Sequence, residues 1–295
     1  MRRDKIILAL GFFDGVHLGH QALLRACVEM ARSLDAETAA ITFENHPKKL
    51  FSNQTPPMLT TLEDRCRLLE CNGMKQIHVF PVTKEVMSTG WKDFLDRLVE
   101  YGAVGFVCGD DFRFGNRGEG NGEKLQQYCN EKGIPCVIIP EQTMDDTRVS
   151  STYIRRQIES GDMATAVRFL GHPHVLSGKV VSGRHIGRSI GVPTANLLIP
   201  EGIVVPKFGV YACRVEIDGV FYCAVANVGT RPTVGGHRIT VEPWILDFEG
   251  DLYGKQLTLE FFRFLRPERK FDSLEELRSE IRKNAEEIKE FFKKS

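Results

Sequence analysis

Short apolar runs alternate with amphipathic segments over the first half of the chain. The runs have the length of buried strands, and the segments between them place apolar residues three and four positions apart, as a helix requires. The strand-like runs are IILALG, TAAITF, QIHVF, VGFVCG and CVIIPE, and the clearest helix-like segments are LGHQALLRACVEMARSL, TLEDRCRLLECNG and TGWKDFLDRLVEYG. This alternation from Lys5 to about Pro140 predicts an α/β unit in which helices cover both faces of a parallel sheet.

Polar caps and glycines mark the ends of these predicted helices. Thr60 or Thr61 can cap a helix that begins before the acidic pair Glu63 and Asp64, because a side-chain oxygen there satisfies a free backbone N–H. Glycines at 73 and 102 stand where two of the helices are expected to end.

The hydrophobic pattern changes after Leu176. Short β-rich segments, among them GVYACRVEI, FYCAVANVG and KQLTLEFFRFL, are separated by glycine, proline and Asp-Gly turns, as in an antiparallel barrel. A long helix closes the chain, with Asp272 or Ser273 as its cap. Its approach, FLRPERKFDSLEEL, carries charges that indicate a solvated face, and the alternative is a secondary role near a bound ligand.

A linker is expected between the two patterns. The helical spacing of SSTYIRRQIESGDMATAVRFLG is broken by GHPHV, in which Gly171 and Pro173 favour a turn. We therefore predict two domains, residues 1–172 and residues 173–295.

Composition and charge narrow the class of protein. A chain of 295 residues with 42% hydrophobic content can bury two cores. Its formal net charge of +0 gives no electrostatic attraction to nucleic acid or to an anionic membrane as a main partner, and no apolar run approaches the ~20 residues of a membrane span. The eight cysteines form no Cys-x-x-Cys motif and indicate reduced thiols in a cytoplasmic protein. The sequence does not indicate an oligomeric state.

The stretch GFFDGVHLGHQALL stands where the first strand becomes a helix. The start of a helix presents free N–H groups and the positive end of its dipole, which suits a phosphate. Gly11, Gly15 and Gly19 allow the backbone to approach a ligand, while His17 and His20 can project from the first turn toward one anion. The alternative is that each histidine is an ordinary residue near a helix cap. Neither the G-x-x-x-x-G-K-[ST] nor the G-x-G-x-x-G nucleotide signature is present here.

This stretch resembles the G-x-F-D-G-x-H-x-G-H motif of bacterial FAD synthetases, which belong to the nucleotidyltransferase superfamily. CGDDFRFG at residues 108–115 and VSSTYIRRQI at residues 149–158 resemble two further segments of that family, G-x-D-F-x-F-G and S-S-T-x-I-R. The resemblance implies a Rossmann-like nucleotidyltransferase domain that transfers AMP from ATP to FMN and releases pyrophosphate.

The resemblance also implies roles for particular residues. His17 and His20 would hold the triphosphate, Arg155 the leaving pyrophosphate, and Asp111 would align the substrate or only cap the turn before Phe112. Further nucleotide contacts are expected at Gly11, Phe12, Phe13, Asp14, Gly19, Ser150, Ser151 and Thr152, and flavin contacts at Gly109 and Phe112. Without its neighbours, the Ser-Ser-Thr segment would be only a helix cap. The glycine-rich GNRGEGNGEK is either a loop that closes over the site or a flexible connector.

The second half of the chain contains another candidate site. SGRHIGRSIGVPTANL combines glycines with arginines, which suits a phosphate-holding flap, and we single out Gly183 and Arg188 in it. Thr194 and Asn196 are two apart in an extended segment and present the neutral oxygens that Mg²⁺ accepts. The alternative for PTAN is a proline turn at a barrel rim.

PTAN resembles part of the G-F-P-T-A-N motif of riboflavin kinases, and NVGTRPTVGG and VEPWILDFEGDLYGKQL resemble other segments of those enzymes. The resemblance identifies Glu242 as the general base, a role for which the residues alone would equally allow Glu216, Glu249 or Glu260. A base is needed because a primary alcohol is a poor nucleophile.

Taken together, the two resemblances imply a bifunctional enzyme. Riboflavin would be phosphorylated to FMN in a riboflavin-kinase-like barrel, and FMN adenylylated to FAD in the α/β domain, with ATP as co-substrate and Mg²⁺ as cofactor in both steps. Two alternatives remain open at this point. One is an enzyme with a single activity, and the other is a flavin-binding regulator or carrier.

Overall fold

The computed structural model describes residues 5–50, 55–181, 194–233 and 236–294. Contacts between Cα atoms divide the chain into two compact units. The first comprises Met1–Met58 and Leu62–Ser151, and the second comprises Leu59–Thr61 and Thr152–Ser295. The domain boundary expected after residue 172 lies further along the chain than this division and stays a prediction.

The first unit is built on a parallel five-stranded sheet, as the alternating pattern predicts. The strand order is β3-β2-β1-β4-β5, and every neighbouring pair is parallel. The strands are β1 (Ile6–Leu10), β2 (Glu37–Phe43), β3 (Gln76–Phe80), β4 (Ala103–Gly109) and β5 (Cys136–Ile139). The helices are α1 (Leu18–Ser33), α2 (Leu62–Cys71), α3 (Lys84–Met87), α4 (Trp91–Tyr101) and α5 (Gly122–Lys132), and a hairpin of β6 (Thr143–Met144) and β7 (Thr147–Arg148) follows.

Strand β1 is buried on both faces and separates two hydrophobic cores. Its odd and even residues point to opposite sides of the sheet. Leu8 packs with residues of α4 and α5 on one face, and Ala9 packs with residues of α1 and α2 on the other. The carboxyl ends of β1 and β4 lie side by side, since Leu10 pairs with Cys108. The segments that follow these two strands therefore leave the sheet at the same edge.

The predicted ends of the helices are confirmed. Helix α2 begins directly after Thr61, and helix α4 ends at Gly102 with a backbone φ of +132°. Gly73, two residues after α2, has a φ of +88°, where a side chain would be strained.

The rest of the chain forms two helices, a closed barrel and a final helix. The antiparallel strands have the order β10-β11-β12-β9-β8-β13, and β13 pairs with β10 to close the barrel. The elements are α6 (Ser151–Ser160), α7 (Met163–Leu170), β8 (His174–Val181), β9 (Asn196–Leu198), β10 (Gly209–Ile217), β11 (Val220–Thr233), β12 (Gly236–Ile245), β13 (Gln256–Arg266) and α8 (Leu274–Lys294). Closure leaves no open sheet edge.

Helix α8 closes one side of the barrel through an apolar face. Ala285 and Ile288 pack with Val210, Ala212 and Val225 of the barrel strands. Of the two predicted caps, Ser273 forms the capping hydrogen bond. Its hydroxyl oxygen accepts a hydrogen bond from the backbone N–H of Glu276 at 3.1 Å. None of the helices in the described ranges is long and apolar enough to cross a membrane.

A buried histidine lies at the start of the barrel. His174 is 1% exposed on β8, its ring centroid is 5.9 Å from that of Phe261, and its Nε2 has no hydrogen-bond partner among the described residues. Burial, and then the charge of His172, lower the pKa of His174 to about 3. The folded unit therefore holds this imidazole neutral.

We expect acid to destabilise the second unit through His174. The stability that this residue contributes is complete above the unfolded pKa of about 6.5 and is lost as the pH falls toward the folded value, because only the unfolded chain takes up the proton. The limiting slope is ~1.4 kcal/mol of unfolding free energy per pH unit.

Urea unfolding tests this expectation. Trp91 and Trp244 are the two tryptophans, so a Trp91→Phe background leaves Trp244 to report on the second unit. In that background His174→Leu should flatten the pH dependence between pH 7 and pH 5 relative to the Trp91→Phe parent. An identical slope in both proteins would contradict the assignment.

Candidate active sites

The connection from β1 to α1 has an uncommon backbone. Phe13, Gly15 and Val16 all have positive φ values, +59°, +80° and +40°. Glycine adopts this region freely, but for phenylalanine and for a β-branched valine it costs free energy. The turn keeps this shape only because surrounding contacts hold it.

Packing inside the turn accounts for the first glycine. Phe13 is fully buried, and a Cβ on Gly11 would lie 2.8 Å from the tip of its ring. Gly11 was expected to make room for a ligand, but the space it leaves is filled by Phe13. The side chain of Phe13 is likewise core, and only its backbone is available to a nucleotide.

The two histidines of the motif stand together at the start of α1. His17 is the cap residue, and its Nδ1 accepts the backbone N–H of His20 at 3.4 Å. The two imidazole rings are stacked, with centroids 3.7 Å apart and planes 14° from parallel. A Cβ on Gly19 would lie 3.3 Å from the ring of His17, so this glycine leaves room for the histidine. The interpretation of His17 as a helix cap is therefore compatible with its interpretation as part of a ligand site.

The environment of His20 keeps its ring uncharged. Burial, then the charge of His17, then that of Arg65 lower the pKa of His20 well below its usual value. Its Nδ1 is buried and has no partner in the described part of the chain. A neutral imidazole carries one N–H donor, so His20 offers a hydrogen bond to an anion rather than a fixed positive charge.

The Ser-Ser-Thr segment is tied to the same turn. Helix α6 begins at Ser151, whose hydroxyl donates to the backbone carbonyl of Asp14 at 2.9 Å. One helical turn on, Arg155 is 9% exposed, and its Nη1 donates to the hydroxyl of Thr152 at 3.5 Å. The structure therefore joins the predicted segments around Asp14 and Ser151, and places Thr152 and Arg155 on one face of α6.

The segment after β4 leaves the sheet beside the turn. Asp111 is exposed and forms an ion pair with Arg148 at 2.6 Å, and Arg148 also pairs with Glu141 at 2.7 Å. Phe112 stacks on Phe114, with ring centroids 5.8 Å apart, and is partly buried against the core. Asp111 is thus held by a cation of the β6–β7 hairpin.

Residues of α2 and β2 that the sequence did not single out hold the turn in place. Arg65 is fully buried and donates to the carbonyl of Phe12, which also accepts the hydroxyl of Thr42 at 2.8 Å. One signal was available in the sequence. Arg65 lies on the same helical stripe as Leu62 and Leu69, where an apolar residue is expected.

The barrel holds a cavity of about 370 Å³ against β12 and α8. Glu242 of β12 lines it and stands opposite Asn227 of β11 in the strand register. The other lining residues come from the barrel strands, the β13–α8 connection and α8, and include Thr194, Val225, Trp244, Arg266, Phe271, Leu277 and Ile281. An acid, an amide and an aromatic residue are thus collected in one largely apolar space.

Part of the charged β13–α8 connection lines this cavity, whereas the sequence favoured a solvated face and left a role near a ligand as the alternative. Arg266, the last residue of β13, donates to the amide oxygen of Asn284 at 3.1 Å and pairs with Glu280 at 3.2 Å. Arg269 of the connection pairs with Glu280 at 3.2 Å, and its guanidinium lies 4.6 Å from the ring centroid of Phe271. These ion pairs join the end of β13 and the connection to helix α8 and fix that wall of the cavity.

A second, smaller cavity of about 80 Å³ lies on the other side of the PTAN segment. Thr194 lines both cavities. Asn196 begins β9, is 6% exposed, and its side-chain oxygen has no hydrogen-bond partner among the described residues. Gly183 and Arg188, which were also predicted to bind nucleotide, lie outside the described residues.

Two family models match the chain, one for each unit. The FAD synthetase model matches residues 1–153, and the riboflavin kinase model matches residues 170–292. The two matches leave only a short segment between them, which contains most of α6 and α7.

Full-length relatives carry both activities in their names. The bifunctional riboflavin kinase/FMN adenylyltransferase of Listeria monocytogenes is 34% identical over 98% of this chain and 93% of its own length. The enzyme of that name from Escherichia coli K12 is 37% identical over 98% of this chain and 94% of its own.

A solved structure supports the fold. A crystal structure named a macrolide-efflux protein, from Streptococcus pneumoniae, superposes with a TM-score of 0.86 at 30% identity and covers 97% of this chain and 94% of that one. The name belongs to that protein and is not carried to this chain. The sequence relatives and the two family models agree that this chain belongs to the bifunctional riboflavin kinase/FMN adenylyltransferase family.

Proposed function

We propose that the two cavities and the β1–α1 turn divide the work of this bifunctional enzyme between its units. The barrel phosphorylates riboflavin to FMN with ATP, and the α/β unit transfers AMP from a second ATP to FMN, giving FAD and pyrophosphate. The observation that carries the proposal for the barrel is that Glu242 lines a cavity of flavin size beside Thr194. For the α/β unit it is the stacked pair His17 and His20 at a helix start.

In the barrel, Glu242 acts as the general base. It takes the proton from the terminal hydroxyl of the ribityl chain as that oxygen attacks the γ-phosphorus of ATP, and the bond from γ-phosphorus to the bridging oxygen breaks to release ADP. Apolar and aromatic groups such as Trp244 and Phe271 suit a flavin ring. Because Thr194 lines both cavities, the ATP phosphates meet the alcohol there.

Thr194 and Asn196 fit a magnesium ion. The side-chain oxygen of Asn196 is buried and has no partner in the part of the chain that the structure describes, and an acceptor left in that state suits a cation. Within the described part of the chain, no cluster of three or more His, Cys, Asp or Glu side chains can hold a metal. A metal here therefore relies on neutral oxygens and nucleotide phosphates. When bound, Mg²⁺ neutralises charge on the phosphates. The predicted flap residues Gly183 and Arg188 remain proposed phosphate ligands.

In the α/β unit, positioning and hydrogen bonding supply the catalysis. A phosphate oxygen of FMN attacks the α-phosphorus of ATP, and the bond to the β-phosphate bridge breaks. His17 and His20 donate N–H groups to the triphosphate, and the Ser150–Thr152 segment adds donors at the start of α6. Arg155 carries the fixed positive charge that the leaving pyrophosphate needs, since His20 is neutral in the free protein. The FMN phosphate is itself the nucleophile, so the mechanism uses no covalent enzyme intermediate.

The segment after β4 is the proposed flavin side of this unit. Gly109 and Phe112 follow the strand next to β1, which brings them to the same sheet edge as the turn. Asp111 aligns the substrate through its ion pair with Arg148. All eight cysteines have free thiols, and we also propose a cytoplasmic location on that ground.

Replacing Glu242 by Gln should remove kinase activity alone. Loss of the base is expected to lower the rate of FMN formation ~10²–10⁴-fold, because glutamine cannot accept the proton. Chromatography of products from riboflavin, ATP and Mg²⁺ measures this, and the same chain should convert supplied FMN to FAD at the normal rate. Glu216→Gln on β10 is the matched control and should keep both rates. Loss of both activities in Glu242→Gln would contradict the division of labour.

Replacing His20 by Ala should have the reverse effect. Adenylylation of supplied FMN is expected to fall ~10²-fold, because a donor to the triphosphate is lost, while phosphorylation of riboflavin stays normal. Pyrophosphate release measures the first activity. Arg25→Ala, an exposed residue of the same helix, is the control. An unchanged adenylylation rate would remove His20 from the mechanism.

The magnesium proposal predicts a changed cation requirement. In Asn196→Leu the new side chain is close to asparagine in size but has no oxygen to offer a cation. Riboflavin phosphorylation should therefore need ~10-fold more Mg²⁺ for half its maximal rate. Asn196→Asp keeps an oxygen and should remain near the wild-type requirement. A magnesium titration of kinase activity in which the leucine variant matches wild type would refute the assignment.

A further inference from the structure

Arg65 is a fully buried cation on helix α2, whose other buried residues are Asp64 and Leu69. Its side chain on α2 has no exposed surface, and a guanidinium is costly to bury unless its donors are paired. Burial lowers the pKa of Arg65, and the carboxylate of Asp14 opposes this. An arginine stays charged in such a place, so the fold keeps a permanent positive charge beside Asp14.

Two nitrogens of the Arg65 guanidinium donate to backbone carbonyls, and its buried Nε has no partner among the described residues. Nη1 donates to the carbonyl of Phe12 at 3.2 Å, and Nη2 donates to the carbonyl of Phe43 at 2.7 Å. The guanidinium carbon lies 4.9 Å from the ring centroid of Phe12. Phe43 ends β2, and Phe12 is the second residue after β1. The planar guanidinium of Arg65 therefore joins the ends of β1 and β2 at the edge of the sheet where the candidate site lies.

We propose that Arg65 is a positioning residue for FMN adenylylation, in which its guanidinium fixes the β1–α1 turn that carries His17 and His20. The turn needs such a restraint because Phe13 and Val16 have positive φ values that their side chains disfavour. Thr42 supplies only one hydrogen bond to Phe12 and none of the charge. This proposal rests on the roles given above to His17 and His20.

A second effect of Arg65 is electrostatic. The charged groups that act on His20 come from two elements, His17 on its own helix and Arg65 on α2. Both lower the pKa of His20, after the larger effect of burial. Removing the guanidinium charge should therefore move the pKa of His20 upward. Loss of packing alone predicts no such dependence on charge.

Three variants separate these effects. Arg65→Met keeps the approximate length of the side chain but removes its charge and its two hydrogen bonds to the backbone. Arg65→Lys keeps the charge but removes the planar pair of donors. Arg67→Met changes a half-exposed arginine of the same helix and is the control. In the full-length protein, kcat for adenylylation of FMN should fall ~10²-fold in Arg65→Met and ~10-fold in Arg65→Lys, because the triphosphate donors lose their alignment. Arg67→Met should stay within about twofold. Riboflavin phosphorylation should be normal in all three.

Nitrogen NMR of ¹⁵N-histidine-labelled protein gives a readout besides activity. The pKa of His20 should rise in Arg65→Met and keep its wild-type value in Arg65→Lys and Arg67→Met. The fluorescence of Trp91, in a Trp244→Phe background, shows whether the first unit is folded in each variant. If Arg65→Met does not fold, the lysine variant decides the question.

The proposal is overturned if folded Arg65→Met adenylylates FMN within about threefold of wild type, or, where only the lysine variant folds, if that variant does so. It is also overturned if folded Arg65→Met leaves the pKa of His20 at its wild-type value. Failure of the proposed role of His20 gives a different result. Normal adenylylation of FMN by His20→Ala would refute that role, independently of the results for the Arg65 variants.

Discussion

The first unit depends on holding a strained turn at the end of a buried strand. The stacked histidines and the start of α1 lie where they do because Phe13 is inserted into the core beneath Gly11. The same turn is bonded from outside by Arg65 and, through Ser151, by the start of α6. Backbone conformations of this kind persist only where surrounding contacts outweigh their cost. These contacts thus fix the hydrogen-bond donors of the β1–α1 turn at this edge of the sheet.

In the mechanism proposed above, the barrel has a different task, which is to bring a base to an alcohol that is a poor nucleophile. Closure of the six strands puts Glu242 and Thr194 on neighbouring parts of one wall, and α8 with its charged connection forms the opposite wall. Because the arginines of that wall are paired with residues of α8, they shape the cavity at little electrostatic cost. In that mechanism the two units therefore act differently. The α/β unit places hydrogen-bond donors around a phosphate, and the barrel places a base beside an alcohol.

The fold was largely predictable because its signals are local. Strand-length apolar runs, helical spacing and glycines at helix ends are written in consecutive residues, and they gave the parallel sheet and the barrel correctly. Of the motif residues, His17, His20 and Ser151 lie in contact at the turn. The missed features depend on residues that are distant in sequence. Arg65 meets Phe12 and Phe43 only after the sheet forms, and Arg266 reaches the cavity wall only once α8 docks. The reason for Gly11 was misjudged on different grounds, because the space beside it is filled by Phe13, only two residues along the chain.

The central claim is that the two activities reside in separate sites. The most direct measurement mixes two chains that each lack one activity, Glu242→Gln and His20→Ala, with riboflavin, ATP and Mg²⁺, and follows flavin products by chromatography. The account predicts that FAD is formed by the mixture, FMN alone by the His20→Ala chain, and neither product by the Glu242→Gln chain. A mixture that makes no FAD, although His20→Ala alone releases FMN, would contradict it.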